Sequence, residues 1–163
     1  MKLPDVNVWL AAAWARHEHH SAAQRWLDAE EDEVALVRVT QMSMLRLVSN
    51  PAVMGDESLS RRAAWDVVDA LLADPRIQLV QEPGGLEPLW VTLSKRDDAS
   101  HLLWTDDYLA AFAQAAGAEL VTLDRACARR YPALRVRCLL ETLDDADAAN
   151  GEQPPGSGSH LPE

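Results

Sequence analysis

The stretch TDDYLAAFAQAAGAELVTLD, residues 105–124, carries the clearest fold signal in the chain. Its first twelve residues place apolar side chains at helical spacing and predict a helix over Thr105–Ala116, ended by Gly117 as a left-handed C-cap. The residues Glu119–Leu123 predict a short buried strand that runs directly into Asp124. A helix that leads within a few residues into an apolar strand is typical of α/β proteins.

The same alternation of helix and strand extends over residues 1–140. Short apolar runs predict further strands at Lys2–Val6, Val34–Val39, Ile77–Val80 and Leu134–Cys138. Helical spacing predicts helices at Asn7–Trp14, after Ser21, from the N-cap Thr40 through Val48, at Asp56–Ala73 and at Leu86–Lys95. Strands separated by helices predict an α/β fold with a mostly parallel central sheet covered on both faces. Ligands of such folds bind beyond the carboxyl ends of the strands.

Length and charge divide the chain into two parts. The chain has 163 residues, of which 48% are apolar, and this composition suits one globular domain. The net charge is −11, and residues 141–163 contribute −6 because they hold six acidic residues and no Lys or Arg. We expect a domain over residues 1–140 and an acidic, disordered tail over residues 141–163. The acidic balance argues against nucleic-acid binding by bulk electrostatics.

The sequence carries no signal for membrane insertion or secretion. Its longest apolar runs, such as Val8–Ala15, fall well short of the ~20 residues that span a bilayer, and its first residues lack an uninterrupted apolar stretch. We therefore expect no membrane partner and a cytoplasmic location. Cys127 and Cys138 are too few for a disulfide framework or a four-ligand zinc site, and we expect both to stay reduced.

Three carboxylates fall at predicted strand ends or helix starts. Asp5 lies near the end of the first strand, and Asp124 follows the strand of the opening stretch. Asp106 lies in the first turn of the predicted helix over residues 105–116, on the apolar stripe that is expected to face the sheet. Its neighbour Asp107 is rotated by about 100° around the helix axis and is expected to meet solvent.

Carboxylates that meet at one edge of a sheet repel one another unless a cation lies among them. Oxygen-rich sites suit Mg²⁺ or Mn²⁺, which can bridge carboxylates to a substrate phosphate. Phosphodiester hydrolysis is one chemistry that such a site supports. Each aspartate also has a purely structural interpretation, because Asp106 can complement a helix dipole, Asp5 can be a turn residue, and Asp124 can N-cap a short helix.

Four blocks of the sequence resemble a known family. They are LPDVNVWL at Leu3–Leu10, VTQMSMLRLVSNPAVMG at Val39–Gly55, WTDDYLAAFA at Trp104–Ala113 and LVTLDRA at Leu120–Ala126. In their order and spacing, over most of residues 1–140, these blocks resemble the PIN-domain ribonucleases of VapC-type toxin–antitoxin pairs. The resemblance implies a PIN-like three-layer α/β/α sandwich with a mostly parallel central sheet.

The resemblance also implies a function and a site. Asp5, Asp106 and Asp124 match the metal-binding acids of the family, Asn7 matches the polar residue after the first acid, and Thr122 matches the hydroxyl two residues before the last acid. The implied activity is an endoribonuclease in which Mg²⁺ or Mn²⁺ activates water for RNA cleavage. The implied partners are an RNA substrate, a cognate antitoxin protein and a second copy of the chain in a homodimer.

One feature departs from the family pattern. Many members carry a glutamate early in the helix after the second strand, whereas here that region offers only Thr40, Gln41 and Ser43 as polar side chains before the next arginine. The loss of a carboxylate weakens metal affinity, so a catalytically weak or inert PIN-like binding module is the alternative. A phosphatase with Asp5 as nucleophile is less favoured, because Asn7 stands where the second aspartate of the haloacid-dehalogenase motif lies.

Three other groups of side chains have a surface or core interpretation beside a functional one. The histidines His17, His19 and His20 lack partners at a recognised metal-site spacing, and we interpret them as a solvated loop. The six tryptophans fall mostly at apolar helical positions, which favours core or oligomer packing over base stacking. Candidates for either phosphate contact or solvated surface are Arg46, Arg61, Arg62, Arg125, Arg129 and Arg130.

Overall fold

A computed structural model describes residues 1–140 of the protein. The strands are β1 (Lys2–Pro4), β2 (Val34–Val37), β3 (Ile77–Val80), β4 (Glu119–Thr122) and β5 (Val136–Cys138). The helices are α1 (Val6–Ala13), α2 (His20–Ala29), α3 (Arg38–Val48), α4 (Pro51–Met54), α5 (Arg61–Leu72), α6 (Leu86–Ser94), α7 (Trp104–Ala116) and α8 (Cys127–Arg130), with a 3₁₀ helix at Gly55–Glu57. No helix within residues 1–140 has both the length and the apolar character of a membrane span. The acidic tail predicted over residues 141–163 lies outside the described residues.

The five strands form one parallel sheet in the order β3-β2-β1-β4-β5. Helices α1, α2, α3 and α5 pack on one face of this sheet, and α6 and α7 pack on the other. The predicted three-layer α/β/α sandwich with a mostly parallel central sheet is therefore confirmed.

Strand β2 shows how one short segment serves both hydrophobic cores. Val34 and Leu36 belong to the core under α1, α2, α3 and α5, whereas Ala35 and Val37 belong to the core under α6 and α7. All four residues are fully buried. A strand that is covered on both faces has no solvent side, which explains why this segment is apolar at every position rather than alternating.

The order of the strands creates a crevice between β1 and β4. The chain places β2 and β3 on one side of β1, and then crosses to place β4 and β5 on the other side. In open parallel sheets the carboxyl ends of the strands at such a point leave room for a ligand. Asp5 directly follows β1, and Asp124 follows β4 by two residues. Both carboxylates therefore start from strands that border the crevice.

Two helices begin at residues other than those predicted. Thr40 does not cap α3, because α3 begins at Arg38 and the Thr40 hydroxyl donates a 2.9 Å hydrogen bond to the Val37 carbonyl inside the first turn. The helix predicted over Asp56–Ala73 is shorter, and α5 begins after Ser60. The Ser60 hydroxyl accepts a 3.2 Å bond from a backbone N–H of the first turn, which makes Ser60 the true N-cap.

The end of α7 is as predicted. Gly117 has a φ of +62° and a ψ of +26°, and its N–H bonds back to carbonyls of the last helical turn. This left-handed conformation is strained for residues with a Cβ atom. It ends α7 and turns the chain into β4.

The tryptophans divide between core and surface. Trp9 and Trp26 are buried, as the packing interpretation predicts. Trp65 and Trp104 are instead 47% and 57% exposed, so these two do not pack in the core of the chain, and packing in an oligomer stays a prediction for them. Trp104 is held edge-to-face against Trp90 of α6, with ring centroids 6.5 Å apart.

Candidate active site

Asp5 joins β1 to α1 and lies on the floor of the crevice. Its backbone N–H donates a 2.8 Å bond to the carbonyl of Val121 in β4, which ties the end of β1 to its neighbour. The Oδ1 atom accepts a 2.6 Å bond from the N–H of Val6 and caps α1. The Oδ2 atom lies 3.4 Å from the hydroxyl of Thr122, which donates to it. Helix capping therefore fixes this carboxylate in place.

Thr122 connects two of the aspartates. It is the last residue of β4 and is 1% exposed. Its Oγ1 atom accepts a 3.0 Å bond from the N–H of Asp124 while its hydroxyl hydrogen points to Asp5. The Oδ1 atom of Asp124 in turn accepts a 2.8 Å bond from the N–H of Ala126 at the start of α8. The hydroxyl thus sets the relative positions of the loops after β1 and β4.

Asp106 reaches the same place from the first turn of α7. Asp5, Asp106 and Asp124 line one small cleft together with Thr122. Apolar or weakly polar side chains complete its walls, namely Leu109, Leu120, Cys127 and Tyr131. The three aspartates singled out in the sequence are therefore neighbours in space, although 119 positions separate the first from the last in the chain (124 − 5).

Arg130, at the end of α8, lies against two of these carboxylates. One guanidinium nitrogen, Nη1, donates to Oδ2 of Asp106 at 3.0 Å and to Oδ2 of Asp124 at 3.1 Å. Within residues 1–140, no three His, Cys, Asp or Glu side chains are arranged so that they hold one metal ion as they stand. The contacts with Asp106 and Asp124 distinguish Arg130 from Arg125 and Arg129, which the sequence analysis names with it as candidates for phosphate contact. Arg129 is exposed, and Arg125 donates to the carbonyl of Leu140.

The acids of the cleft perturb the pKa values of their neighbours. Burial raises the pKa of Asp5 to about 6; the Val6 N–H opposes this shift, and the nearby Asp106 carboxylate adds to it. The pKa of Asp106 is also raised, chiefly by burial and against the influence of Arg130. Burial raises the pKa of the Cys127 thiol to about 12, with further contributions from all three carboxylates. These shifts indicate that burial, with a smaller contribution from neighbouring carboxylates, disfavours the charged forms of these groups.

The side chains present fit a hard divalent cation. The donors in the cleft are carboxylate oxygens. Asn7, two residues after Asp5, has an amide oxygen, Oδ1, that is buried and has no hydrogen-bond partner among the described residues. Such oxygen donors are the ligands that Mg²⁺ and Mn²⁺ prefer. Cys127 also lines the cleft, where burial raises the pKa of its thiol.

The region that lacks the family glutamate contributes no carboxylate. Gln41 is 3% exposed, and its Oε1 atom accepts a 2.5 Å bond from a guanidinium nitrogen of Arg38 within the first turn of α3. Thr40 is fully buried, and its hydroxyl is bonded to the backbone of β2. Gln41 and Thr40 are thus engaged by their own surroundings at the start of α3.

The expectation that Asp107 meets solvent is wrong. Asp107 is 5% exposed, its Oδ1 atom accepts a 2.8 Å bond from the hydroxyl of Tyr131, and a guanidinium nitrogen of Arg96 lies 3.8 Å away. Helix α7 is enclosed on most sides, and five consecutive residues, Leu109–Ala113, are buried. A helix that is apolar all round has no single buried stripe, so helical angles alone do not identify the solvent side. Ala110 and Ala111 follow Asp107 by three and four positions, and this apolar spacing was the signal in the sequence that Asp107 lies on a buried side of α7.

The chain matches a family model described as PIN domain over residues 2–133. It is 41% identical over 145 residues to Ribonuclease VapC41 of Mycobacterium tuberculosis, with 85% of this chain and 99% of that protein covered. Among solved structures, it resembles Mycobacterium tuberculosis VapC20, described as a sarcin–ricin loop cleaving toxin, with a TM-score of 0.62 at 16% identity over 79% of this chain and 94% of that chain.

A second solved structure is similar in fold. It is VapBC2 of Rickettsia felis bound to a DNA fragment from its promoter, with a TM-score of 0.61 at 16% identity over 84% of this chain and 97% of that chain. The family resemblance drawn from the four sequence blocks is confirmed by the match to the PIN model and by the similarity to a VapC ribonuclease. This chain belongs to the PIN-domain family, among the VapC ribonucleases.

Proposed function

We propose that this protein is a Mg²⁺- or Mn²⁺-dependent endoribonuclease and the toxin of a toxin–antitoxin pair. The observation that carries the proposal is the shared cleft of Asp5, Asp106 and Asp124 at the carboxyl ends of β1 and β4. Three acids in a partly buried cleft are stable as carboxylates only beside cations. A divalent ion supplies that charge and leaves coordination positions for a substrate phosphate.

We assign the metal-holding role to Asp5, Asp106 and Asp124. An ion held by them would lower the pKa of a bound water and stabilise negative charge on the attacked phosphate. The role of Thr122 is to orient Asp5 and Asp124, since its hydroxyl is bonded to both residues. Asn7 is assigned to the same site because its unpartnered amide oxygen lies two residues from Asp5.

The partners follow from the relatives. VapC41 is a ribonuclease, VapC20 is described as a toxin that cleaves the sarcin–ricin loop, and VapBC2 was solved bound to promoter DNA. We therefore propose RNA as the substrate, a small antitoxin protein as the inhibitor, a homodimer as the assembly and the cytoplasm as the location. Co-expression with the product of a short reading frame next to the gene should yield a complex that does not cleave RNA.

A catalytically inert binding module is the second candidate, and two observations favour it. The start of the helix after β2 supplies no carboxylate where many members have a glutamate, and Arg130 already neutralises part of the charge on Asp106 and Asp124. In such a module, Asp106, Asp124 and Arg130 would serve only as an ion-pair network that holds α7 and α8 together.

RNA cleavage titrated with metal separates the two candidates. The parent chain is compared with Asp5→Asn and Asp124→Asn, and Asp66→Asn serves as a control because Asp66 is an exposed carboxylate on α5. We expect cleavage by the parent and the control that requires Mg²⁺ or Mn²⁺ and stops with EDTA, and little or none by the cleft variants. Equal cleavage by the parent and the cleft variants would refute the assigned roles, and no cleavage by any chain would favour the inert module.

A further inference from the structure

The guanidinium of Arg130 is held between two acids of the cleft by the local fold. The bond from the N–H of Ala126 to Asp124 opens a tight turn, and α8 follows for a single turn that ends at Arg130. The Arg130 side chain folds back so that its Cζ atom lies 5.8 Å from the ring centroid of Tyr131, and it is only 23% exposed. The guanidinium therefore has a defined position, unlike a surface arginine.

The oxygens that Arg130 binds are the oxygens that a metal would need. Its Nη1 atom bonds Oδ2 of Asp106 and Oδ2 of Asp124 at 3.0 and 3.1 Å. The other oxygen of Asp124 already accepts the N–H of Ala126. Both oxygens of Asp124 are therefore engaged, whereas a Mg²⁺ ion requires carboxylate oxygens at ~2.1 Å. An ion bound to these two Oδ2 atoms would lie where the guanidinium nitrogen now lies, so the two cations compete for this position.

The geometry of the acids agrees with this competition. Within residues 1–140 no three metal-binding side chains are in position to hold one ion together, even though the three aspartates line the same cleft. The acids that Arg130 bridges, Asp106 and Asp124, come from α7 and from the loop after β4. A cation bonded to both holds these two elements together, so an ion that replaced the guanidinium would have to bridge the same two carboxylates.

We propose that Arg130 is a positioning residue that acts as the internal counter-cation of the cleft and exchanges with the divalent ion at Asp106 and Asp124. This inference rests on the proposed metal-dependent function. Arg130 stabilises the metal-free protein, because it lies between two acids that would otherwise repel each other and neutralises part of their charge. It lowers metal affinity for the same reason, because the ion must displace it.

The test measures Mn²⁺ affinity of the full chain by isothermal titration calorimetry. An opposite charge beside a carboxylate changes its affinity for a proton by 10-fold or more, and we expect an effect of about that order, roughly tenfold tighter Mn²⁺ binding, in Arg130→Ala and Arg130→Gln. Arg130→Lys keeps the charge and should stay within a few-fold of the parent. Arg129→Ala is the matched control, since it removes the same charge from an exposed neighbour and should leave the affinity unchanged.

Thermal unfolding supplies a second measurement that does not depend on activity. In EDTA, Arg130→Ala should melt below the parent, and saturating Mn²⁺ should raise its Tm by more than it raises that of the parent. Arg130→Gln, which retains most of the length of the side chain, tests the same point should the alanine variant not fold.

Three outcomes would overturn the inference. Mn²⁺ binding that is unchanged or weaker in both Arg130→Ala and Arg130→Gln would show that the guanidinium does not compete with the ion. A change in Mn²⁺ affinity equal to that of Arg129→Ala would show that Arg130 acts only through the net charge of the chain. In either of these cases, RNA cleavage by the parent that still depends on metal would leave the proposed function standing, and only the role of Arg130 would fail. The third outcome is that neither the parent nor the variants bind Mn²⁺, which would contradict both the proposed function and the role of Arg130.

Discussion

The hydroxyl of Tyr131 donates a 2.8 Å hydrogen bond to Oδ1 of Asp107, and both side chains are buried. The preceding residue, Arg130, binds Asp106, so two consecutive residues at the end of α8 hold two consecutive aspartates at the start of α7. Asp107 thus has a structural partner, while Asp106 faces the cleft. This double contact connects the loop after β4 to α7 and fixes the cleft between them.

Removing the Tyr131 hydroxyl should destabilise the fold. In Tyr131→Phe the buried Asp107 carboxylate loses its hydrogen-bond donor, and we expect a loss of about 1–3 kcal/mol in the free energy of unfolding. Urea denaturation followed by tryptophan fluorescence measures this loss. Tyr108→Phe is the control, because the Tyr108 hydroxyl bonds the exposed Glu82 and its removal should cost less. Equal losses in the two variants would contradict the assigned role of the Tyr131–Asp107 pair.

The two tyrosines of the chain should resist ionisation at alkaline pH. Burial raises the pKa of both Tyr108 and Tyr131, and hydrogen bonds to Glu82 and Asp107 raise them further. Because the folded-state values exceed the unfolded value of about 10, their contribution to stability is fully present below pH 10 and is lost as the pH rises through the folded-state values. Tyrosinate absorbance at 295 nm should therefore appear only together with unfolding. A tyrosine that titrates near pH 10 in the folded chain would disprove this prediction.

The Thr122 hydroxyl should matter for catalysis through the two acids that it orients. Thr122→Val keeps the shape of this buried side chain but removes the bonds to Asp5 and to the N–H of Asp124. Loss of such supporting bonds lowers activity by about 10- to 100-fold, which we expect in an RNA cleavage assay at saturating Mg²⁺. Thr122→Ser restores the hydroxyl and should recover most of the activity. The prediction fails if the valine variant cleaves RNA as fast as the parent.

Neighbouring aspartates on α7 should respond differently to the same change. Asp106→Asn removes a charge from the cleft and should reduce RNA cleavage by about a hundredfold or more, in line with the loss of a metal ligand. Asp107→Asn keeps an oxygen that accepts the bond from Tyr131, so it should leave cleavage within a few-fold of the parent and lower only the Tm. Rates of single-turnover cleavage, taken well below both melting temperatures, distinguish the two. The reverse order of effects would move the metal site to Asp107.

The fold was predictable because the local signals agree with one another. The fully apolar segment Val34–Val37 indicates a strand covered on both faces, and Gly117 marks the end of α7. The N-cap positions were less predictable, since several residues near each helix start can cap it. The sequence predicts Thr40 as a cap, yet its hydroxyl bonds back to the carbonyl of Val37, while Ser60 caps α5 in the middle of a segment predicted to be helical throughout.

The candidate site was predictable only in part. The positions of Asp5 and Asp124 follow from strand order, because adjacent parallel strands bring their carboxyl ends together. The contacts of Arg130 and Tyr131 depend on how a single-turn helix directs its side chains, which no sequence periodicity specifies. For the same reason the burial of Asp107 was missed. Short helices and loops, rather than the sheet, determine the charge balance of the cleft.

Diffraction from crystals grown with Mn²⁺, recorded for its anomalous signal, tests the central claim most directly, because it locates the ion without reference to activity. The account predicts an anomalous peak in the cleft, in contact with carboxylate oxygens of at least two of Asp5, Asp106 and Asp124, with the Arg130 guanidinium moved off one of them. A cleft without a peak at saturating Mn²⁺, or a peak only elsewhere, such as at His17–His20, would contradict it.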